Sequence, residues 1–148
     1  MSNAVEIPFA TTLLVRDTCL CLHAQRAARA LARLFDEALR PVGLTNGQFS
    51  LMMSLNRPEP PPMGPVAKLL AMDQTTLTAA LKPLQRKGWV DIKTNPRDRR
   101  GRLLSLTAEG KAVLAVAVPI WESTHKALED ALPDGNGHRL RHDLLALA

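Results

Sequence analysis

Tyrosine is absent from this sequence of 148 residues, and Phe and Trp together supply only 3% of it. Its two cysteines, Cys19 and Cys21, are too few and too close together to form a disulfide framework. No stretch approaches the roughly 18 consecutive apolar residues of a membrane span, and the N-terminus does not show a basic segment followed by an apolar one. These absences argue against a disulfide-rich secreted domain and a membrane protein, so we expect a cytoplasmic protein.

The apolar residues that are present are of types that favour helices. They make up 46% of the chain, mostly as Leu, Ala and Val, whereas 11 prolines divide it into short segments. Residues 18–39 repeat apolar positions at the helical period, which predicts one long helix that Pro41 and Gly43 end. Residues 1–17 are compatible with a strand, a helix or a dimer arm.

Capping signals divide the middle of the chain into further helices. Thr45 followed by Gln48 is the sequence pattern of a capping box, and Asp73 is a suitable N-cap for a helix over residues 74–87. A Pro-rich connection over residues 56–62 and another short helix lie between them. This succession of short helices predicts a helix-turn-helix.

Beyond these helices the apolar pattern alternates. Residues 89–94 read as a strand, residues 95–98 as a turn and residues 104–106 as the returning strand. A long helix follows Thr107, with a kink expected at Pro119, and a short helix ends the sequence.

The expected fold is therefore mainly α-helical with a small β-hairpin wing. Residues 41–107 are the expected winged helix-turn-helix domain. Residues 1–40 supply an N-terminal arm and helix, and residues 108–148 supply C-terminal helices.

Positive charge is concentrated in the segment from Lys82 to Arg102. This segment holds eight basic and two acidic residues, a net charge of +6, whereas the whole chain carries +5 at pH 7, so the remainder carries −1. Such a concentration favours a surface that binds nucleic-acid phosphates over a face that is merely solvated.

A recognition helix reads base edges in the major groove with side chains near its N-terminal end. The helix that Asp73 caps has suitable side chains there, because Gln bonds adenine, Thr offers a hydroxyl or a methyl group, and Lys reaches guanine or phosphate. The predicted base-reading residues are Gln74, Thr75, Thr76, Thr78 and Lys82.

The tip of the predicted hairpin is rich in arginine, and extended guanidinium groups suit the narrow, electronegative minor groove. Asp98 lies among these arginines. A lone carboxylate would repel phosphate, so we expect Asp98 to fix one arginine in place. The predicted DNA-contacting residues of the wing are Arg97, Arg99, Arg100 and Arg102.

Together these segments resemble the MarR family of bacterial regulators over roughly residues 31–114. The resemblance rests on the following stretches: Leu44-Thr45, Gln48-Phe49, the runs 70–78 and 84–90, Asp98-Arg99-Arg100, and Leu106-Thr107-Ala108-Glu109-Gly110.

The resemblance implies a homodimer, built from the first helix and the last two, that binds a pseudo-palindromic operator in double-stranded DNA. It also implies that Asp98 and Arg100 pair to shape the wing. We expect a repressor without catalytic activity. Many members of the family release DNA when a small aromatic acid or another anionic effector binds between the dimerisation and DNA-binding regions, and others when a cysteine is oxidised.

Two sets of residues are candidates for receiving such a signal. A cavity beside the first helix would involve His23, Arg26, Trp121 and His125, where an arginine would bind a carboxylate.

Cys19 and Cys21 are the candidates for oxidation. The peroxide-sensing branch of the family holds its thiol with tyrosine hydroxyls, which are absent here. Residues two apart on a helix also point to different faces, which disfavours a disulfide within one chain and leaves open a disulfide between subunits, or two inert thiols.

No cofactor or metal is predicted. Cys19 and His23 share a helix face, but two ligands are fewer than a structural metal site needs. Two other functions are alternatives: a non-specific architectural DNA-binding protein, which steep salt dependence without sequence preference would indicate, and a thiol enzyme. No set of Cys, His and Asn residues typical of such an enzyme is legible.

Overall fold

The computed structural model describes residues 4–148 and divides them into two compact units, 4–34 and 35–148. Seven α-helices and one antiparallel hairpin lie within the described residues. Their bounds are α1 Phe9–Thr18, α2 Leu20–Leu39, α3 Asn46–Leu55, α4 Met63–Leu69, α5 Gln74–Arg86, β1 Val90–Asn95, β2 Asp98–Leu106, α6 Ala108–Asp130 and α7 Gly137–Leu145.

The first unit contains α1 and most of α2. Of the three possibilities for residues 1–17, the structure has a helix from Phe9 onward, and residues 1–3 lie outside the described residues. The long helix predicted over residues 18–39 begins at Leu20 and not at residue 18. Cys19 separates the two helices because its backbone is extended (φ −70°, ψ 110°), and its Sγ accepts a hydrogen bond from the Leu22 amide at 3.4 Å.

The second unit begins with the end of α2 and a tight turn. Gly43 adopts a positive φ of 80° after a single 3-10 turn, which confirms the predicted helix end. The predicted capping box of α3 is also confirmed. The Gln48 amide donates to the Thr45 hydroxyl at 3.2 Å, and the Gln48 side chain accepts from the Thr45 amide at 3.1 Å.

The helix-turn-helix consists of α4 and α5 around one apolar core. The carboxylate of Asp73 accepts the Thr76 amide at 2.7 Å and caps α5 as predicted, and Gly88 follows that helix with a φ of 75°. Leu77, Leu81 and Leu84 are buried along one side of α5. They pack in a core with residues of the other elements, including Leu51, Met52, Val66, Leu104 and Leu114.

The hairpin differs from its prediction. β2 begins at Asp98, six residues before the predicted return strand, and the turn is confined to residues 96–97. Asn95 pairs with Asp98 whereas Thr94 pairs with Arg102, so residues 99–101 form a bulge without partners in β1. The hairpin is anchored at its base, where the Leu104 amide donates to the Pro61 carbonyl at 2.9 Å.

The long helix α6 begins where it was predicted. The Thr107 hydroxyl accepts the Gly110 amide at 3.0 Å and donates to the Gly88 carbonyl at 2.6 Å, which ties α6 to the end of α5. Pro119 lies inside α6, which continues through it to Asp130. Within residues 4–148, no helix has the length and apolar character that crossing a membrane requires.

Candidate nucleic-acid interface

The first turns of α5 present the predicted base-reading side chains to solvent. Gln74 begins the helix directly after its Asp73 cap, and buried Leu77 and Leu81 hold the opposite side against the core. The five predicted residues are all exposed: Gln74, Thr75, Thr76, Thr78 and Lys82. The helix thus has one buried apolar side and one polar side that is open to a ligand.

Local hydrogen bonds fix this helix start. The backbone bond from the Thr76 amide is the main cause that lowers the pKa of the Asp73 carboxyl below its ordinary value of 3.8. The Thr78 hydroxyl donates to the Gln74 carbonyl at 2.8 Å, which leaves its methyl group and a lone pair available. The Asp73 carboxylate is thus bound to the Thr76 amide at the start of the helix.

The tip of the hairpin is built by side chains that bind the backbone. Asp98 Oδ1 accepts the backbone amide of Arg100 at 3.0 Å, and Asn95 Oδ1 accepts that of Arg97 at the same distance. Asp98 thus contacts Arg100 as the resemblance implied, but through the main chain. Within residues 4–148 the Asp98 carboxylate makes no ion pair with an arginine side chain, so its contact with Arg100 is the backbone bond alone.

The arginines of the wing fall into two groups. The Arg102 guanidinium donates to the carbonyls of Gly101 at 3.2 Å and Arg99 at 3.4 Å, and so closes the bulge. The guanidinium groups of Arg97, Arg99 and Arg100 have no hydrogen-bond partner in the described part of the chain, and all three side chains are exposed. Three positive charges are therefore free to meet phosphates or a groove.

The structural roles of two residues near this surface were not predicted. Asn95 was interpreted only as a turn residue, although an Asn directly before Pro at a hairpin tip is a recognised signal for this type of bond. Lys87 was counted with the phosphate-binding charges. Its ammonium instead donates to the Gly43 carbonyl at 3.0 Å and lies over the Trp89 ring, a contact over 44 residues that no local pattern reveals.

Comparison with known proteins identifies the family. The MarR family model matches residues 44–101. The chain is 35% identical to the M. tuberculosis transcriptional regulator MosR solved in complex with DNA, with a TM-score of 0.81 over 88% of this chain and 93% of that one. The chain belongs to the MarR family.

E. coli MarR supports this assignment both by sequence and by structure. The Escherichia coli K12 multiple antibiotic resistance protein MarR is 37% identical over 81 residues, which are 55% of this chain and 56% of that protein. The chain thus aligns with little more than half the length of this curated relative. A cysteine-to-serine mutant of E. coli MarR, complexed with operator DNA, superposes with a TM-score of 0.80 at 27% identity, covering 91% of this chain and 97% of that one.

The comparisons confirm the predicted family and the predicted winged helix-turn-helix class. MosR is named as a transcriptional regulator and MarR as a multiple antibiotic resistance protein, and MarR family membership argues against the alternative of a thiol enzyme.

The effector residues predicted from the MarR resemblance fall in different units. His23 and Arg26 line an open groove of about 610 Å³ along α2, together with Ala27, Arg29, Ala30 and Arg33. In the second unit, the Trp121 ring stacks on His125 with the centroids 4.7 Å apart. An effector cavity formed by all four predicted residues stays a prediction.

The two cysteines are both free thiols at the start of α2. Cys19 is half-buried, whereas Cys21 is exposed and its Sγ accepts from the Gln25 side chain at 3.2 Å. Because Cys19 precedes the helix in an extended conformation, the assumption that both thiols point from one helix was wrong. His23 places Nδ1 2.7 Å from the Cys19 carbonyl, and residues 4–148 contain no cluster of three metal-binding side chains.

Proposed function

We propose that this chain is a homodimeric, sequence-specific repressor of transcription that binds a pseudo-palindromic operator in double-stranded DNA. The observation that carries the proposal is the joint exposure of two elements in one unit. These are the polar N-terminal turns of α5 and a hairpin with three unpartnered guanidinium groups. The two elements correspond to the base-reading and backbone-positioning parts of a winged helix bound to duplex DNA.

The proposal assigns different work to the two elements. Gln74, Thr75, Thr76 and Thr78 carry the amide, hydroxyl and methyl groups that distinguish base pairs in the major groove, and Lys82 reaches guanine or phosphate. Arg97, Arg99 and Arg100 supply charge to the minor groove and the phosphates. Arg102, directly after the bulge, supports them through its bonds to the Gly101 and Arg99 carbonyls.

Dimerisation is supported by apolar surface at both ends of the chain. Large apolar side chains are exposed from the segment before α1 to the first residue of α2, and again in α7 and beyond it. Soluble proteins rarely leave such patches uncovered. These side chains are Val5, Ile7, Phe9, Leu14, Val15 and Leu20, and Leu140, Leu144, Leu145 and Leu147. Sedimentation equilibrium tests this point, and a protein that stays monomeric at micromolar concentration would contradict it.

Selection of binding sites from random duplexes tests the main proposal. A repressor of this type selects a sequence with two related half-sites about one turn of DNA apart. Gel shifts over a salt series then compare the selected site with unrelated DNA. An equal affinity for both, with steep salt dependence, would indicate the non-specific architectural alternative instead.

A small anionic effector is the first proposed signal for release. His23, Arg26, Arg29 and Arg33 bring imidazole and guanidinium groups to the groove on α2, over a floor of alanines. Within residues 4–148 no carboxylate pairs with the three arginines, so a carboxylate ligand would find free donors. Calorimetry with benzoate and salicylate tests this, with Arg26→Ala expected to weaken binding and an absence of heat for both acids counting against it.

Oxidation of Cys19 and Cys21 is the second proposed signal. Cys21 is exposed, and the extended backbone at Cys19 removes the helical constraint that disfavoured a disulfide within the chain. Peroxide treatment followed by non-reducing peptide mapping distinguishes a disulfide within one chain from one between subunits. Unchanged DNA binding after oxidation, in a protein whose thiols have reacted, would remove this proposal.

A further inference from the structure

Two histidines of α7 lie one helical turn apart on the surface. His138 and His142 are four residues apart in the helix Gly137–Leu145, and both side chains are exposed. Side chains at this spacing share one helix face, with their Cβ atoms about 5–6 Å apart. The same spacing places two zinc-binding imidazoles on one helix face in the His-Glu-X-X-His motif of metalloproteases. The pair therefore has the spacing of a metal chelate.

The histidine face of α7 lies opposite the apolar side of the helix. At 3.6 residues per turn, each residue is rotated by about 100° from the one before it. Leu140 and Leu144, both exposed, thus lie on the side of α7 away from the two imidazoles. A subunit contact that covers these leucines leaves the histidine face open to an ion.

Both imidazole rings have a nitrogen available to an ion. Within residues 4–148 the His138 ring makes no hydrogen bond. His142 Nδ1 lies 3.8 Å from Asp143 Oδ1. Histidines that bind metals commonly direct their other ring nitrogen toward a carboxylate, which orients the ring. The His142 ring thus has Asp143 on its Nδ1 side and leaves Nε2 to an ion.

The electrostatic surroundings of the pair suit a divalent cation. His142 lies in the last turn of α7, where the helix dipole places partial negative charge. Each neighbouring arginine also has a carboxylate nearby, since Arg141 pairs with Glu129 and Arg139 lines a small groove together with Asp143. These carboxylates offset the guanidinium charges that would otherwise repel an ion.

We propose that His138 and His142 chelate a single divalent transition-metal ion of the nickel, copper and zinc class, with water at its remaining positions. Imidazole nitrogen suits these ions, whereas magnesium and calcium prefer oxygen ligands. Two protein ligands are fewer than a structural zinc site has, so the site is reversible and the fold does not require it.

The ion would join two positions of a helix that has only nine residues, and so would favour its folded conformation. The apolar side of α7 belongs to the surface assigned above to dimerisation. An effect of the metal on the dimer therefore rests on the proposed function, whereas the metal site itself does not.

Calorimetry with nickel chloride on the full chain tests the site at about pH 7.5, because imidazole must be deprotonated to bind a metal. We expect a single ion per chain. His138→Gln and His142→Gln should each weaken binding by about tenfold or more, because the advantage of two linked ligands is lost. His23→Gln, which removes an exposed histidine from α2, should leave nickel binding unchanged.

The double variant His142→Ala/Ala146→His is the matched control, because it keeps the composition and the charge of the chain. It moves the second imidazole to a position eight residues from His138, a rise of about 12 Å along the helix, which is too far for both rings to bind one ion. Ala146 is exposed at the C-terminal end of α7, and circular dichroism checks that the helix content is kept. Nickel binding should weaken as much as in His142→Gln.

Proton NMR of the imidazole rings identifies the ligands. Bound Ni²⁺ is paramagnetic and broadens nearby signals, so of the four histidines only His138 and His142 should lose their ring signals at low nickel concentration. The inference is overturned if nickel does not bind, if the rearranged double variant binds it as tightly as the wild type, or if the signals of His23 or His125 broaden first. Sedimentation in parallel separates this site from the proposed dimer: a monomeric chain that binds nickel through His138 and His142 keeps the metal site and contradicts only dimerisation.

Discussion

The ammonium group of Lys87 lies 4.5 Å from the centroid of the Trp89 ring and donates a hydrogen bond to the Gly43 carbonyl at 3.0 Å. Lys87 caps the C-terminal end of α5, and Gly43 lies in the turn before α3. The contact therefore joins the end of the recognition helix to the turn before α3. The positive charge of Lys87 thus interacts with the Trp89 ring and the Gly43 carbonyl of the protein itself.

Replacing Lys87 should separate stability from DNA binding. We expect Lys87→Ala to lower the free energy of unfolding by about 1 kcal/mol, the sum of a modest cation–π contact and one hydrogen bond. The salt dependence of DNA binding should hardly change, in contrast to Lys82→Ala. Urea unfolding and salt-dependent gel shifts measure the two effects. A salt slope that falls equally in both variants would mean that Lys87 contacts phosphate.

Recognition helix and wing should respond differently to substitution. Arg99→Ala should weaken binding to all duplexes and reduce the salt slope by about 1, because a free guanidinium group near phosphate is lost. Gln74→Ala and Thr76→Ala should instead change which base is preferred in the half-site. Arg139→Ala, in α7, is the charge control. Indistinguishable profiles for all three interface variants would contradict this division of labour.

Asp98 offers a test in which the charge and the hydrogen bond predict opposite results. Its carboxylate accepts the Arg100 amide and shapes the bulge. Asp98→Asn keeps an acceptor oxygen and removes a negative charge near DNA, so its affinity should equal or exceed that of the wild type. Asp98→Ala should bind roughly three- to tenfold more weakly, because the backbone bond is lost. If both variants bind more tightly, the carboxylate acts only by repelling DNA.

Local sequence patterns predicted the parts of this fold that local hydrogen bonds create. The caps at Thr45 and Asp73 are examples, since each joins residues three apart. The extent of β2 was not predictable in this way. Its first residues are charged residues and a glycine without alternation, and their pairing depends on a bulge. The open groove that Phe49, Leu69 and Trp121 line was not predicted for a similar reason, because it forms only where α3, α4 and α6 pack together.

Gly110, three residues after the Thr107 cap of α6, packs so closely against the Trp89 backbone that a side chain has no room there. A Cβ at Gly110 would lie 2.1 Å from the Trp89 carbonyl oxygen, which also accepts the Thr107 amide. Gly110→Ala should therefore destabilise the fold by roughly 1–3 kcal/mol, since backbone must move. Gly47→Ala, in a helix with no atom within 4 Å of the added carbon, is the matched control and should stabilise by about 0.4–1 kcal/mol. Urea unfolding measures both effects, and a Gly110→Ala variant as stable as the wild type would contradict the close packing at Trp89.

Asp36 and Asp73 bind amides at helix starts, and their lowered pKa values predict how the free energy of unfolding changes in acid. Asp36 accepts the Asn46 amide at 2.7 Å and its side-chain nitrogen at 2.8 Å, and the backbone bond is the main cause that lowers the pKa of Asp36 below 3.8. The pKa of Asp73 is lowered in the same direction. The folded state therefore binds fewer protons than the unfolded state.

Because the folded state binds fewer protons, the protein loses stability as the pH falls. The contribution of each carboxylate is complete above the unfolded-state pKa of 3.8 and is lost as the pH falls through the lower folded-state pKa. The free energy of unfolding, measured in urea from neutral pH to about pH 3, should fall less steeply in the Asp36→Asn/Asp73→Asn double variant, because those two sites no longer titrate. Parallel pH profiles for this variant and the wild type would show that other carboxylates govern the acid transition.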